Sequence, residues 1–529
     1  MKLPRLKRSV RQLLLIFSCS LCVATSSAQS SSFLTDSIDR YVEKGLKDWQ
    51  IPGLAIVIVK DGKVVLMKGY GVKDIKTGER VDENTLFFIA SNSKLFTGTA
   101  LAQLEYQKKL SLNDKITKYF PDYKLYERSS TELVTIKDML SHRIGTKTFQ
   151  GDFTFWNSEL SREEIMRRMQ YLKPINLFRQ EYGYCNSCFM TAGQVIPKVT
   201  GRQWEDYVTD SILKPLSMMN SYAKSNGIEN KVKNISVPYT TSYTGTLKAV
   251  PYDHWDNLGP AASIVSNVND LSHWLHFQLD SGRYNGKRIM PWQVLQKTRD
   301  VNIITNSRKS SLYPVHFRGY GLGLNAADYN GRQVYWHTGG AAGMVSNVCF
   351  VPEEKLGIAI LTNNDNQNFF ECLRYQLLDA YLGVPYVNRS LQQLDGFNKG
   401  MKEQVDEIAG WKKQAASFTG LKANHNSNVS DYTGQYSNEL YGKIEITAIG
   451  STSKLKVKFL SHTDLEATLS PSDNEEWLLE YGNIEYGVFK TKFKLQNNKV
   501  MSVDIKMNDF VESDAYTFTK VSWATGSRK

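Results

Sequence analysis

The stretch FFIASNSKLFTG, residues 87–98, places a serine and a lysine three positions apart where an apolar run turns into a helical pattern. A serine at such a junction has two readings. It caps the helix, its hydroxyl accepting an orphan backbone N–H, or it is a nucleophile. On one helical turn Ser91 and Lys94 come within reach of each other, and a lysine amine can then take the hydroxyl proton before acyl transfer. Chance alone gives roughly two S-x-x-K spacings in a chain of this length, so the motif gains meaning only from partners. Acyl transfer also needs a proton shuttle, a polar group for the substrate amide and N–H donors for an oxyanion. Tyr184-Cys185-Asn186 offers a phenol, whose ionisation a neighbouring ammonium favours, and an amide with both donor and acceptor. His337-Thr338-Gly339-Gly340 reads as a strand whose glycines let a substrate backbone lie against its edge, with the Gly340 N–H joining that of Ser91 as an oxyanion hole. The bland readings are an aromatic with a turn residue, and a Thr-Gly-Gly turn.

Other chemistries find little support. There is no G-x-S-x-G elbow and no H-E-x-x-H. Cys185 and Cys188 form a C-x-x-C with no second pair to complete a zinc site, and read as small buried thiols. His273 and His276 share a helix at i, i+3, but nothing nearby completes a ligand set. We expect neither metal nor cofactor. The net charge of +12 owes five charges to Lys2, Arg5, Lys7, Arg8 and Arg11, and no long basic run follows, so a nucleic-acid partner is not expected.

Those five residues introduce an apolar stretch beginning at Leu13, and Ser26 and Ala28 precede a cut ahead of Gln29. Residues 1–28 read as a secretory signal peptide, and a lipoprotein anchor at Cys19 has a poor apolar run before it. We expect an exported protein, periplasmic or extracellular, with no transmembrane anchor after cleavage. Four cysteines would then remain; an oxidising compartment allows Cys349 and Cys372 to pair, and the sequence leaves that open.

The elements that must hold these residues follow from periodicity. IPGLAIVIVKDGKVVLMKGYG (51–71) is a hairpin turning at Asp61-Gly62. Helical patterns fill the middle, including one that Asn267 and Asp270 would cap. Strands return between Tyr320 and Leu361. A sheet closed by both ends of the domain follows: an α+β class, antiparallel sheet flanked by helices, over residues 29–385. Residues 386–425 read as a helical linker. Residues 426–529 alternate as about eight short strands, a small all-β sandwich or barrel.

Taken together, "IASNSK", "YGYCN" and "HTGG", with "KKLSLNDKITKYFPDY", "TIKDMLSHRIG", "GPAASIVSNVNDLSHWL" and "YGLGL", resemble the penicillin-recognising serine hydrolases, in the branch of class C β-lactamases and D-alanyl-D-alanine carboxypeptidases. The resemblance covers residues 35–385. It implies a β-lactamase/transpeptidase-like fold, Ser91 as the acylated nucleophile, Lys94 as its partner, Tyr184 as the shuttle that protonates the leaving group, Asn186 as the substrate-amide contact and His337 in the third motif. Thr338, Gly339 and Gly340 would bind substrate. His337 stands where dedicated class C β-lactamases usually carry lysine, and Cys185 where a small residue is usual. The C-terminal module is similar to the lipocalin-like β-domain often appended to these enzymes. The implied activity is a secreted hydrolase acting on D-amino-acid peptides or related amides and esters, with a small-molecule or short-peptide partner that could derive from the cell wall. The alternative is a penicillin-binding or sensor protein that acylates with little turnover. Three further expectations follow: a pH limb near 6 to 7 from His337; a C-terminal module that is either a packed structural barrel or a cover over the cleft mouth; and, in the latter case, a polar helix acting as a semi-rigid spacer and small-ester hydrolysis that survives deletion of residues 420–529.

Overall fold

The computed structural model describes residues 33–418, 428–462, 464–472, 476–512 and 514–521; the expected signal peptide, its cut site and Cys19 lie outside them. The hairpin forms as the sequence suggests. Strand β1 (Gly53–Lys60) and β2 (Lys63–Gly71) meet at Asp61 and Gly62, with φ of 52° and 74°. Two positive φ values in a two-residue loop match the right-handed twist of the flanking strands. β1 is buried along nearly its whole length, which explains its unbroken apolar run.

Six further strands complete one antiparallel sheet: β3 (Ile303–Asn306), β4 (Arg318–Tyr320), β5 (Asn325–Tyr329), β6 (Arg332–Ala341), β7 (Met344–Val351) and β8 (Leu356–Thr362). Their spatial order is β2-β1-β8-β7-β6-β5-β4-β3. Ile56 pairs with Ile360, so the first and last strands of the sheet's chain close on each other. Helix α1 (Ile38–Asp48) and the later helix α4 (Phe369–Leu382) pack on one side with the face carrying Ile56, Ile58 and Ile360. The helical region between the strands covers the other side and includes α2 (Ser93–Tyr106), α3 (Val268–Leu279) and a shorter helix, Asn186–Gly193. Asn267 Oδ1 accepts from Asp270 N at 2.8 Å, the cap read from the sequence.

Residues Gly434–Lys520 form a closed eight-stranded barrel in which sequence neighbours are also neighbours in space. Closure removes the exposed sheet edges that a sandwich would leave. Its interior is filled by alternate residues such as Ile444, Val457, Leu469 and Val503.

Helix α5 (Arg389–Ser417) starts on the sheet domain and ends on the barrel. Arg389 Nε pairs with buried Asp379 at 2.7 Å, and Trp49 Nε1 donates to Ser390 Oγ at 2.8 Å. Further along, Ile408 packs with Tyr243, Leu478 and Val488, and Lys412 pairs with Glu480 at 2.7 Å. The helix is therefore a strap packed on both units and not the spacer expected.

The barrel sits directly on the sheet domain. Phe153 stacks on His462 with ring centroids 4.0 Å apart, and His462 Nε2 donates to Phe153 O at 2.9 Å. Phe459, Tyr441 and Tyr486 surround the same phenyl ring. One apolar cluster runs without a break from Phe153 into the barrel interior. Deleting the barrel would lay this surface open at about 1.5–3 kcal/mol for each large apolar side chain. Cys185, Cys188, Cys349 and Cys372 are free thiols, all buried. No helix among the described residues is long and apolar enough to cross a membrane.

Candidate active site

Ser91 does not cap a helix. It sits in a 3₁₀ turn, Ala90–Asn92, one turn before α2 begins at Ser93. Ala90 has φ of +46°, a left-handed conformation that costs an L-residue about 1–2 kcal/mol. The surrounding bonds hold it there. Ser346 on β7 donates to Ile89 O at 2.7 Å and accepts from Asn92 Nδ2 at 2.8 Å. The turn is thus stapled to the sheet on both sides of Ser91, by a residue that no sequence motif marked.

Lys94 is fully buried. Its Nζ lies 3.0 Å from Ser91 Oγ and donates to Asn186 Oδ1 at 2.6 Å and to Ala261 O at 2.9 Å. The two oxygens can only accept, so they take two N–H bonds. In the neutral amine the remaining direction, the lone pair, faces Ser91 Oγ. Burial pulls the Lys94 ammonium down to about 7, against a raising influence from Asp152. The amine form is then populated near neutral pH.

Asn186 continues the line inward. Its Nδ2 donates to Asp152 Oδ2 at 2.6 Å, and burial pushes that carboxyl well above the usual carboxylate range. Asp152 was not singled out from sequence, because its only signal is its position at the start of a 3₁₀ turn, Asp152–Thr154, that folding brings against Asn186.

Tyr184 borders the same cleft as Ser91, which favours ionisation of its phenol, and Lys94 Nζ lies 4.7 Å from its ring centre. Burial holds its phenol well above the ordinary value. Desolvation disfavours the phenolate that a neighbouring ammonium would favour, and it outweighs the lowering influence of Ser91. Tyr184 is a proton-bearing phenol.

His337 is also not the titrating group expected. Its Nδ1–H donates to Thr338 O at 2.7 Å, which leaves Nε2 to accept from the Tyr320 hydroxyl at 2.8 Å. Tyr320 in turn accepts from His142 Nε2 at 3.3 Å, and His142 Nδ1 accepts from Cys185 N at 3.0 Å. Each ring has one compatible neutral tautomer. Burial, aided by the charge of Lys94, lowers His337 to about 3 and His142 well below its usual value. His142 and Tyr320 lie within "SHRIG" and "YGLGL", but their pairing across 178 positions is invisible in one sequence.

β5 pairs with β6 only as far as Trp336, so His337–Ala341 form an open edge beside Ser91. The loop Ala342-Gly343 closes on the pair Ala341–Met344. Alternation along the ladder then turns the N–H and C=O of Thr338 and Gly340 toward the open side. Thr338 and Gly340 line the cleft. Gly339 does not: a Cβ there would strike Ile89 O and Ser346 Oγ. Its role is to let β6 approach the Ser91 turn. The loop N–H groups are held by carboxylates, Ala342 N by Asp253 at 2.7 Å and Gly343 N by Asp365 at 3.0 Å.

The cleft over Ser91 encloses about 540 Å³, and Tyr184, Asn186, His337 and the barrel's Phe510 all border it. A buried amine aimed at a serine hydroxyl, a phenol bordering the same cleft and an open strand edge make an arrangement suited to acyl transfer without a metal ion.

The chain belongs to the beta-lactamase family, whose model matches residues 38–382, and with it to the serine hydrolases. It is similar to Protein flp of Staphylococcus aureus (strain MRSA252), 30% identical over 337 residues, a match that spans 62% of this chain and 63% of that protein's length. The unguisins hydrolase ungD of Aspergillus violaceofuscus (strain CBS 115571) is 24% identical over 451 residues, 80% of this chain and 78% of that one. The fold is similar to that of the octameric penicillin-binding protein homologue from Pyrococcus abyssi, with a TM-score of 0.57 at 22% identity, over 92% of this chain and 99% of that one.

Proposed function

We propose that this protein is an exported serine hydrolase that acylates Ser91 with D-amino-acid-containing peptides or related amides and esters. The observation that carries the reading is the Lys94 nitrogen, with two of its directions committed to acceptors and the third directed at Ser91 Oγ. The neutral amine removes the Ser91 proton as Oγ attacks the substrate carbonyl. The oxyanion is met by the N–H groups of Ser91 and Gly340. Tyr184 donates its phenolic proton to the leaving group and regains one from the Lys94 ammonium, so the amine is restored. Water then releases the acyl group from Ser91. Export rests on the signal-like residues 1–28. A relative named as a hydrolase, aligned over 80% of this chain, supports turnover.

Incubation with a penicillin or a fluorophosphonate should add mass to the peptide holding Ser91, and Ser91→Ala should abolish the addition. Labelling that persists in Ser91→Ala overturns the assignment. The kinship with a penicillin-binding protein homologue favours a second outcome, acylation with little turnover; one equivalent of product followed by none would select it.

A further inference from the structure

The loop between the last two barrel strands, Lys499–Ile505 and Tyr516–Lys520, reaches out of the barrel and into the cleft of the other domain. Phe510 at its tip lies against Gly340, where a Cβ would run into the phenyl ring. It makes edge-on contacts with Phe149 at 5.7 Å and Trp156 at 5.4 Å, both bordering the cleft. Yet Phe510 keeps 36% of its surface exposed, unusual for a ring set among aromatics, because one side faces the open cleft.

The loop is held as a wall. Met507, Val511 and Glu512 are buried beneath it. Asn508 Nδ2 donates to Glu485 O at 2.9 Å, and Asn508 Oδ1 accepts from Phe510 N at 3.1 Å. Glu512 accepts from Gly151 N at 2.7 Å and from the Tyr441 hydroxyl, and Lys147 pairs with Asp514 at 2.7 Å. Gly151 and Lys147 belong to the segment carrying Phe149, Asp152 and Trp156, so barrel loop and cleft wall are fastened to each other.

The position of Phe510 along the β6 edge decides which arm of a substrate it meets. Tyr184, the donor to the leaving group, lies toward the His337 end, its ring 6.1 Å from that of His337. Phe510 stands at Gly340, three residues further on and so about 10 Å along the strand. With the carbonyl at Ser91 and the leaving group beneath Tyr184, the acyl arm points toward Gly340 and the ring.

We infer that Phe510 is an acyl-side stop, a specificity-determining residue supplied by the barrel that restricts the site to substrates with short acyl groups. This rests on the Ser91 acyl-enzyme reading above. A bulky acyl chain must displace either the ring or the strapped loop.

The test holds the leaving group constant and varies the acyl chain: kcat/KM for p-nitrophenyl acetate, butyrate and octanoate with wild type, Phe510→Leu and Phe510→Ala. The octanoate-to-acetate ratio should rise at least tenfold in Phe510→Ala and by an intermediate factor in Phe510→Leu. A ratio within twofold of wild type in both variants, or one that falls, overturns the stop while leaving the nucleophile assignment intact. Labelling rates with short- and long-chain alkyl fluorophosphonates, read by intact mass, report the same ratio without requiring turnover. If neither ester turnover nor Ser91 labelling occurs in wild type, the acyl-enzyme reading fails and the stop with it.

Discussion

Tyr320 donates its hydroxyl proton to His337 Nε2 across 2.8 Å, and that bond, with Thr338 O on the other ring nitrogen, keeps the histidine in one neutral tautomer. With His337 lowered to about 3 and Lys94 to about 7, the lysine is the one of the two that titrates near neutrality. The acid limb of kcat/KM should therefore lie near pH 7, activity rising as Lys94 loses its proton. In His337→Gln the activity should fall roughly tenfold through a displaced β6 edge, while the limb stays near 7. A limb that vanishes in this variant would return the titration to His337.

Asp152 accepts from Asn186 Nδ2, and its charge raises the proton affinity of Lys94. Asp152→Asn keeps an acceptor oxygen for Asn186 Nδ2 and removes the charge, so the acid limb should move below 7 while Asn186 stays in place. An unchanged limb would show that Asp152 holds Asn186 in place without influencing the lysine.

Gly339 touches no substrate space, yet a Cβ there meets the Ile89 carbonyl and Ser346 Oγ. Gly339→Ala should force β6 away from the Ser91 turn and reduce the rate of Ser91 labelling by roughly 100-fold, since a shift near 1 Å is enough for that loss. The barrel and sheet should still fold, so far-ultraviolet circular dichroism should be retained. Full labelling speed in Gly339→Ala would mean the strand can yield.

Burial raises Asp253 and Asp365 to about 6 from an ordinary carboxylate value near 4. A group whose folded value is raised contributes stability below pH 4 that is lost as pH climbs through 6. The variants Asp253→Asn and Asp365→Asn keep an acceptor oxygen for the loop N–H groups and carry no charge. Their Tm relative to wild type should therefore increase between pH 5 and pH 8, by about 2–4 °C. A Tm difference independent of pH would show that both carboxyls titrate normally.

The sequence alone carried the parts that local pattern encodes. Apolar continuity in Ile51–Lys60 with Asp61-Gly62 predicted the hairpin, and regular alternation after residue 432 predicted an eight-stranded all-β module. S-x-x-K, Y-x-N and H-T-G identified Ser91, Lys94, Tyr184, Asn186 and His337, which folding gathers around one cleft. Tertiary structure decided what each of them does. Proton affinities depend on desolvation and on neighbours distant in the chain, so burial raises the tyrosine, lowers the histidine to about 3 and brings the lysine down to about 7. Ser346, Asp152, Tyr320 and Phe510 lie outside those motifs, because their influence comes from packing across 17 to 257 positions and, for Phe510, from a second domain. Residue type and spacing record which groups can react; the surrounding protein sets where their protons rest and how much room the substrate has.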